Sequence, residues 1–145
     1  MLIKVFSYLI IFYGVYHLLG IGDFEHFSIM FKGLPKVVTL FLYFFSVLYG
    51  VCGLYSGAKI LKKEDWARKF FLVLTVVSVV LGFGVGSTVI ANFREFIFSK
   101  ASGIPSAYAQ DVFRMGLVFT SLATVFELAV VVFFTRPRIV ALFRK

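Results

Sequence analysis

Residues 70–91 read FFLVLTVVSVVLGFGVGSTVIA, 22 consecutive positions from Phe70 to Ala91 without one charged side chain. An α-helix rises about 1.5 Å per residue, so crossing a hydrocarbon core of about 30 Å takes about 20 apolar residues. This stretch is long enough. Working outward, the same length and character recur before it and after it, which predicts spans at about 2–20, 37–57, 70–92 and 111–135. The fold class is then all-α, an integral membrane four-helix bundle.

Composition points the same way. Hydrophobic residues make up 61% of the 145, charged residues only 15%, and mean hydropathy is +0.98; soluble domains carry about 25% charged residues. With the spans removed, roughly 60 residues remain, scattered over tails and loops, too few for a separate soluble core. A single transmembrane domain over 1–145 is expected. The first run follows Lys4 and is not trailed by a small-x-small cleavage pattern, since His17-Leu18-Leu19-Gly20-Ile21-Gly22-Asp23 is a poor one. It is expected to be a retained span and not a signal peptide.

Charge orients the bundle. Lys4, the loop residues Lys59, Lys62, Lys63, Arg68 and Lys69, and the tail residues Arg136, Arg138, Arg144 and Lys145 hold ten of the fifteen basic side chains. Lys32, Lys36, Arg94, Lys100 and Arg114 lie in the alternate loops, together with Asp23, Glu25, Glu95 and Asp111. Cytoplasmic loops collect Lys and Arg, so both termini are expected in the cytoplasm, and the two-to-one bias argues against dual topology. The basic tail reads as a topology signal and an anionic-lipid contact. No nucleic-acid-binding motif accompanies it.

The connections carry their own signals. Phe24, Phe27 and Phe31 fall on one helical face, with Asp23 placed to cap it, Gly33 to end it and Pro35 suited to the first turn of the next helix. This predicts a short interfacial helix in the first outer loop. In the cytoplasmic loop, Asp65 is a plausible N-cap and Trp66 lies where an indole favours the headgroup region. The outer stretch 92–110 reads as a loop, with its clearest break at Ser102-Gly103-Ile104-Pro105-Ser106 and Ser106 as a candidate cap. Pro137 interrupts the last helix, and Ile139, Val140, Leu142 and Phe143 beside Arg138, Arg144 and Lys145 predict a second interfacial helix in the C-terminal tail.

Two of these segments, Trp66-Ala67-Arg68-Lys69 opening one span and Thr135-Arg136-Pro137-Arg138-Ile139 with Phe143 closing another, resemble small four-span bacterial inner-membrane proteins of unknown function. The resemblance covers about a fifth of the chain and consists of interface residues. It implies a multi-pass protein of the bacterial inner (plasma) membrane with cytoplasmic termini, and it transfers no catalytic or ligand residue.

Inside a bilayer, helices associate where small residues let backbones approach. The second span carries Ser46, Gly50, Gly53 and Gly57 on one face; the third carries Ser78, Gly82 and Gly86. Joined by a short loop, these spans are expected to meet as antiparallel neighbours along two facing stripes. The rival is a stripe that faces a second copy of the protein.

One residue in the spans is expensive. An acid at a helix centre costs about 2.5–3.5 kcal/mol, and Glu127 stands eight residues inside Thr135, about 12 Å deep. Counting the same depth along the other helices reaches Tyr13, Tyr49 or Gly50, and Ser78. Thr120 and Thr124 extend a polar stripe along the helix of Glu127 itself. With no Lys or Arg in a span near that level, Glu127 is expected to be protonated at neutral pH and to donate a hydrogen bond. It is either a helix tie worth about 0.6–2 kcal/mol or a working group, as intramembrane acids are in proton-coupled carriers.

Other chemistry is thin. Metal ligation by His17, Asp23, Glu25 and His26 lacks diagnostic spacing, and His17 alone is a better hydrogen-bonded interfacial histidine. No metal and no cofactor are expected. Cys52, the one cysteine, excludes an intrachain disulfide and CxxC chemistry. No phosphate-binding glycine loop and no Ser-His-Asp set is present, so the chain is not expected to be an enzyme. Three functions are left open. The first is a small structural or accessory subunit of a membrane protein assembly, with a homo-oligomer or other membrane subunits as partners. The second is an oligomeric proton-linked carrier or channel using Glu127. The third is a lipid-binding protein in which Arg94, Lys100 and Arg114 contact the headgroups of membrane lipids.

Overall fold

The structure is a computed structural model, and it describes residues 2–22, 24–100 and 106–143. Six helices follow one another: α1 (Leu2–Ile21), α2 (Phe24–Met30), α3 (Lys36–Leu61), α4 (Asp65–Lys100), α5 (Ser106–Thr135) and α6 (Pro137–Ala141). Among the described residues there is no strand. The four long helices α1, α3, α4 and α5 are each long and apolar enough to span a membrane. Leu2, Ile3 and Lys4 share a hollow with Leu61, Lys63, Ile139 and Leu142, so the N-terminus, the α3–α4 turn and α6 lie at one end of the bundle.

The closest helix pair is α1 on α3, and glycine makes it so. A Cβ added at Gly14 would stand 2.8 Å from the carbonyl oxygen of Gly50, and one at Gly53 would stand 3.4 Å from Cα of Gly14. Gly50 closes on Leu18, and Gly57 on Ile11 and the carbonyl of Ser7. Ser46 is half-buried at the N-terminal end of the stripe. The α3 stripe therefore meets α1, and this corrects the expectation of two stripes facing each other between the second and third spans. On α4, Gly82, Gly84 and Gly86 have open space where a Cβ would go. The physical reason lies further down α4, where Ala67, Phe71 and Thr75, spaced four residues apart, are the buried face. Phe71 stacks obliquely on Tyr49, ring centroids 5.9 Å apart. α4 meets α3 through these residues, while Gly82 and Gly86 lie further along the helix and border a gap beside α5.

Three helices overrun their predicted limits, α3 by running on to Leu61. At 36 residues α4 is about 54 Å long, and it carries Asn92–Lys100, read from sequence as loop. α5 begins at Ser106. Residues 101–105, the predicted break, lie outside the described residues, as do Asp23, Arg144 and Lys145 and the side chains of His26 and Lys100.

The ends are fastened by polar contacts. α2 is held at the far end: Phe24 and Phe27 both stand edge-on to Tyr43, and Phe31 stacks on Phe27. Asn92 Nδ2 donates to the carbonyls of Met30 and Lys32, both at 2.9 Å, which satisfies acceptors that the end of α2 leaves open. Gly33, at φ +94°, turns the chain into α3, and Pro35 occupies the N-cap position, one residue earlier than its expected place in the first turn. At the terminal end, Pro137 opens α6 at its first turn and Phe143 folds back against Phe134.

Candidate functional site

Glu127 sits at the junction of three helices. It projects from α5, is 7% exposed, and its Oε1 accepts two hydrogen bonds. One comes from Ser78 Oγ on α4 at 2.9 Å, the other from Tyr13 Oη on α1 at 3.2 Å. Tyr49, the fourth member of the expected layer, stands beside them on α3. Its ring is perpendicular to that of Tyr13 at 6.1 Å, and its hydroxyl lies 3.4 Å from Thr75 Oγ1. Residues 13, 49, 78 and 127 thus occupy one level, each carried there by its own helix. Among the described residues no cation pairs with Glu127.

The carboxyl also borders open space. A cleft of about 610 Å³ lies between α4 and α5, with Gly82, Gly86 and Phe83 along one wall and Leu117, Thr120 and Thr124 along the other, and Glu127 at its inner end. Because α4 presents glycine here, the two helices stay neighbours without filling the gap. A second cavity of about 580 Å³ shares Gly82, Gly86, Ile90, Leu117 and Thr120 with the first and extends it toward His17, Met30 at the end of α2 and Phe31 just beyond it. Above it the helices close again, since the Phe93 ring fills the place of a Cβ at Gly116. His17 rests edge-on against Tyr13 at 5.5 Å, and its Nδ1 is buried with no partner among the described residues.

The threonine hydroxyls of the cleft are already committed as donors. Thr120 Oγ1 donates to the Gly116 carbonyl at 2.9 Å and Thr124 Oγ1 to the Thr120 carbonyl at 3.1 Å. A threonine hydroxyl has one proton, so both oxygens retain only acceptor capacity. The bonds from Ser78 and Tyr13 both go to Glu127 Oε1. Beside Glu127 the cleft thus offers acceptors, while Ser87 and Ser121, which also line it, keep their hydroxyl protons, and among the described residues no lysine or arginine lines it.

A second polar cluster, which the sequence reading missed, closes the terminal end. Arg68 is 5% exposed. Its Nη1 donates to the Phe134 carbonyl at 2.8 Å, its Nε to Asp65 Oδ1 at 2.8 Å, and its guanidinium lies 5.6 Å from the Phe143 ring centroid. One side chain therefore caps the end of α5, neutralises Asp65 and holds the α6 segment. In the sequence the signal is Arg68 three residues after Asp65, which by themselves read as a topology charge and a helix cap. Asp65 makes its contacts through Arg68 and Lys69. Next to it Glu64 accepts from Trp66 Nε1 at 2.6 Å and Lys59 Nζ at 3.1 Å; the Trp66 bond, followed by the lysine, holds its carboxyl below the usual range.

The remaining sequence candidates do not converge. Arg94 is exposed, with its guanidinium 6.0 Å from the Phe98 ring, and Arg114 faces Asp111 at 3.8 Å. Of the metal candidates, Asp23 and the His26 side chain lie outside the described residues, and among the described residues no three metal-ligating side chains cluster. Comparison with family models, with curated proteins and with solved structures finds no match.

Proposed function

We propose that the chain is a multi-pass protein of the bacterial inner membrane, with both termini in the cytoplasm, and that it is a proton-linked carrier working through Glu127 and not an enzyme. The membrane reading is supported by the four long apolar helices, whose outward faces carry bulky apolar side chains such as Phe12, Phe44, Val73, Phe83 and Leu122. The orientation is supported by the basic side chains gathered at the end that bears Lys4, Lys63 and Arg138.

The observation that carries the carrier reading is a buried carboxyl, without a cation of its own, bordering a cleft of ligand size. Buried charge that is only structural is normally paired, and an unpaired acid within a span marks an ion or proton path by default. The natural cycle is exchange. Glu127 holds a proton when the cleft is empty and gives it up to a cation, so that the site never presents a bare charge to lipid. The test is flux: purified protein in liposomes with an internal pH indicator is expected to couple cation entry to proton exit, and Glu127→Gln to lose the coupling with its fold intact. Unaltered coupling in Glu127→Gln would refute the assignment.

A second reading has its own support. Ser78 and Tyr13 both donate to Oε1, as they would in a tie between α1, α4 and α5 within a small accessory subunit. Stoichiometric co-purification with unrelated membrane subunits, and no flux, would favour it.

A further inference from the structure

We infer that the cleft between α4 and α5 is a binding site for a lipophilic amine, taken as its ammonium ion against Glu127. The inference deepens the reading of Glu127 as the exchanging group and rests on it. Three features of the cleft select this chemistry.

The first is the sense of the hydrogen bonds. Glu127 Oε2, Thr120 Oγ1 and Thr124 Oγ1 have acceptor capacity left, because both threonine protons are given to backbone carbonyls. An ammonium group has donors only, whereas a carboxylate or phosphate has none and would meet these oxygens with repulsion. The second is charge. Among the described residues no lysine or arginine is in the lining, and the titratable groups that face Glu127 or the cavity are Tyr13, Tyr16, His17 and Tyr49, none of them a permanent cation. The third is shape. About 610 Å³ falls in the range of ligand pockets, about 300–1,000 Å³, and the walls are Phe83, Ile90, Leu117 and Val125 over a glycine floor. A compact apolar body fits along these walls with its charged end at the inner carboxyl.

The exchange balances. An ammonium ion enters, the Glu127 O–H bond breaks, its proton leaves to water, and the cleft gains one cation for the proton it loses. No bond to the amine is formed or broken.

The test uses the full-length protein in lipid nanodiscs, with 1-naphthylmethylamine as probe and 1-naphthylmethanol as its neutral partner of the same shape. Titration calorimetry in two buffers of different ionisation heat is expected to show saturable amine binding with release of about one proton, and alcohol binding about a hundredfold weaker. Glu127→Gln should lower amine affinity about a hundredfold, abolish proton release and leave the alcohol unaffected. Gly82→Leu fills the cleft without touching the carboxyl, has space for its side chain, and should block both probes; it keeps the test independent of how well Glu127→Gln folds. Equal affinity for amine and alcohol, or amine binding indifferent to both substitutions, would overturn the inference. Binding and proton release without flux in liposomes would keep the site and reject the carrier. Flux of inorganic cations that depends on Glu127, with no amine binding, would keep the carrier and reject the substrate class.

Discussion

Replacing Gly14 by alanine tests the seam on which the bundle is built. The new Cβ would stand 2.8 Å from the Gly50 carbonyl oxygen and 3.0 Å from the Leu54 amide nitrogen. Both are backbone atoms of α3, so no rotamer change makes room. Ordinary contact begins near 3.4 Å, so the helices must part by about half an ångström. A radial gap of that size forfeits about a quarter of each dispersion contact along the seam, where Gly53, Gly50 and Gly57 all pack closely on α1. Overpacking of this kind costs about 1–3 kcal/mol, and the immobile neighbours put Gly14→Ala at the upper end. Alanine also favours helix over glycine by about 1 kcal/mol, which leaves a net loss of about 2 kcal/mol. The control is Gly82→Ala, which gains the same helix preference and meets nothing within 4 Å. Reversible unfolding in mixed micelles should separate the two variants by about 3 kcal/mol. Equal stabilities would refute the α1–α3 seam and the argument from close backbone approach with it.

Three other outcomes follow from particular contacts. Arg68→Ala should cost about 2–3 kcal/mol, below the 3–5 kcal/mol of a fully buried pair because Asp65 is partly exposed, and Arg68→Lys should recover only part of it, as measured by the same unfolding assay. Trp66 is the only tryptophan and donates to Glu64, so its fluorescence reports that carboxyl. Because Glu64 is held below its ordinary 4.5, the contact is in place above that pH and is lost as acid takes the carboxylate through its lower folded value. The emission should therefore shift with a midpoint below about 4.5, and the shift should vanish in Glu64→Gln. Lys63 turns the chain from α3 to α4 at φ +58°, a region that costs a side chain about 1 kcal/mol or more. Lys63→Gly should stabilise by about that amount, and a loss would mean the lysine side chain matters more than its backbone.

Much of this arrangement follows from counting along apolar runs. Equal rise per residue puts equal depths at equal counts, which groups Tyr13, Tyr49 and Ser78 with Glu127 from the sequence alone. The α3 stripe could be read too, since its spacing requires a close neighbour. Its partner could not, because a row of glycines shows that something approaches and not what. Gly14 is a single small residue in α1, with Ser7 two turns away, and it gave no stripe to notice. The extension of α4 past Ala91 was hidden because Asn92, Arg94 and Glu95 end the apolar run without ending the helix. Arg68 was misread for a related reason: an arginine at a span boundary looks like a topology signal, and only the return of α5 and α6 brings the Phe134 carbonyl and the Phe143 ring to it. The cleft had no signature at all. It lies where α4 presents Gly82 and Gly86 to α5, and which helix those glycines face is a result of packing.

Infrared difference spectroscopy of the protein in nanodiscs, recorded with and without the amine probe, reads Glu127 most directly. The account predicts a protonated-carboxyl stretch that disappears when the amine binds, is replaced by carboxylate bands, and is missing from Glu127→Gln. A carboxyl whose bands do not change on saturation with the amine would contradict it.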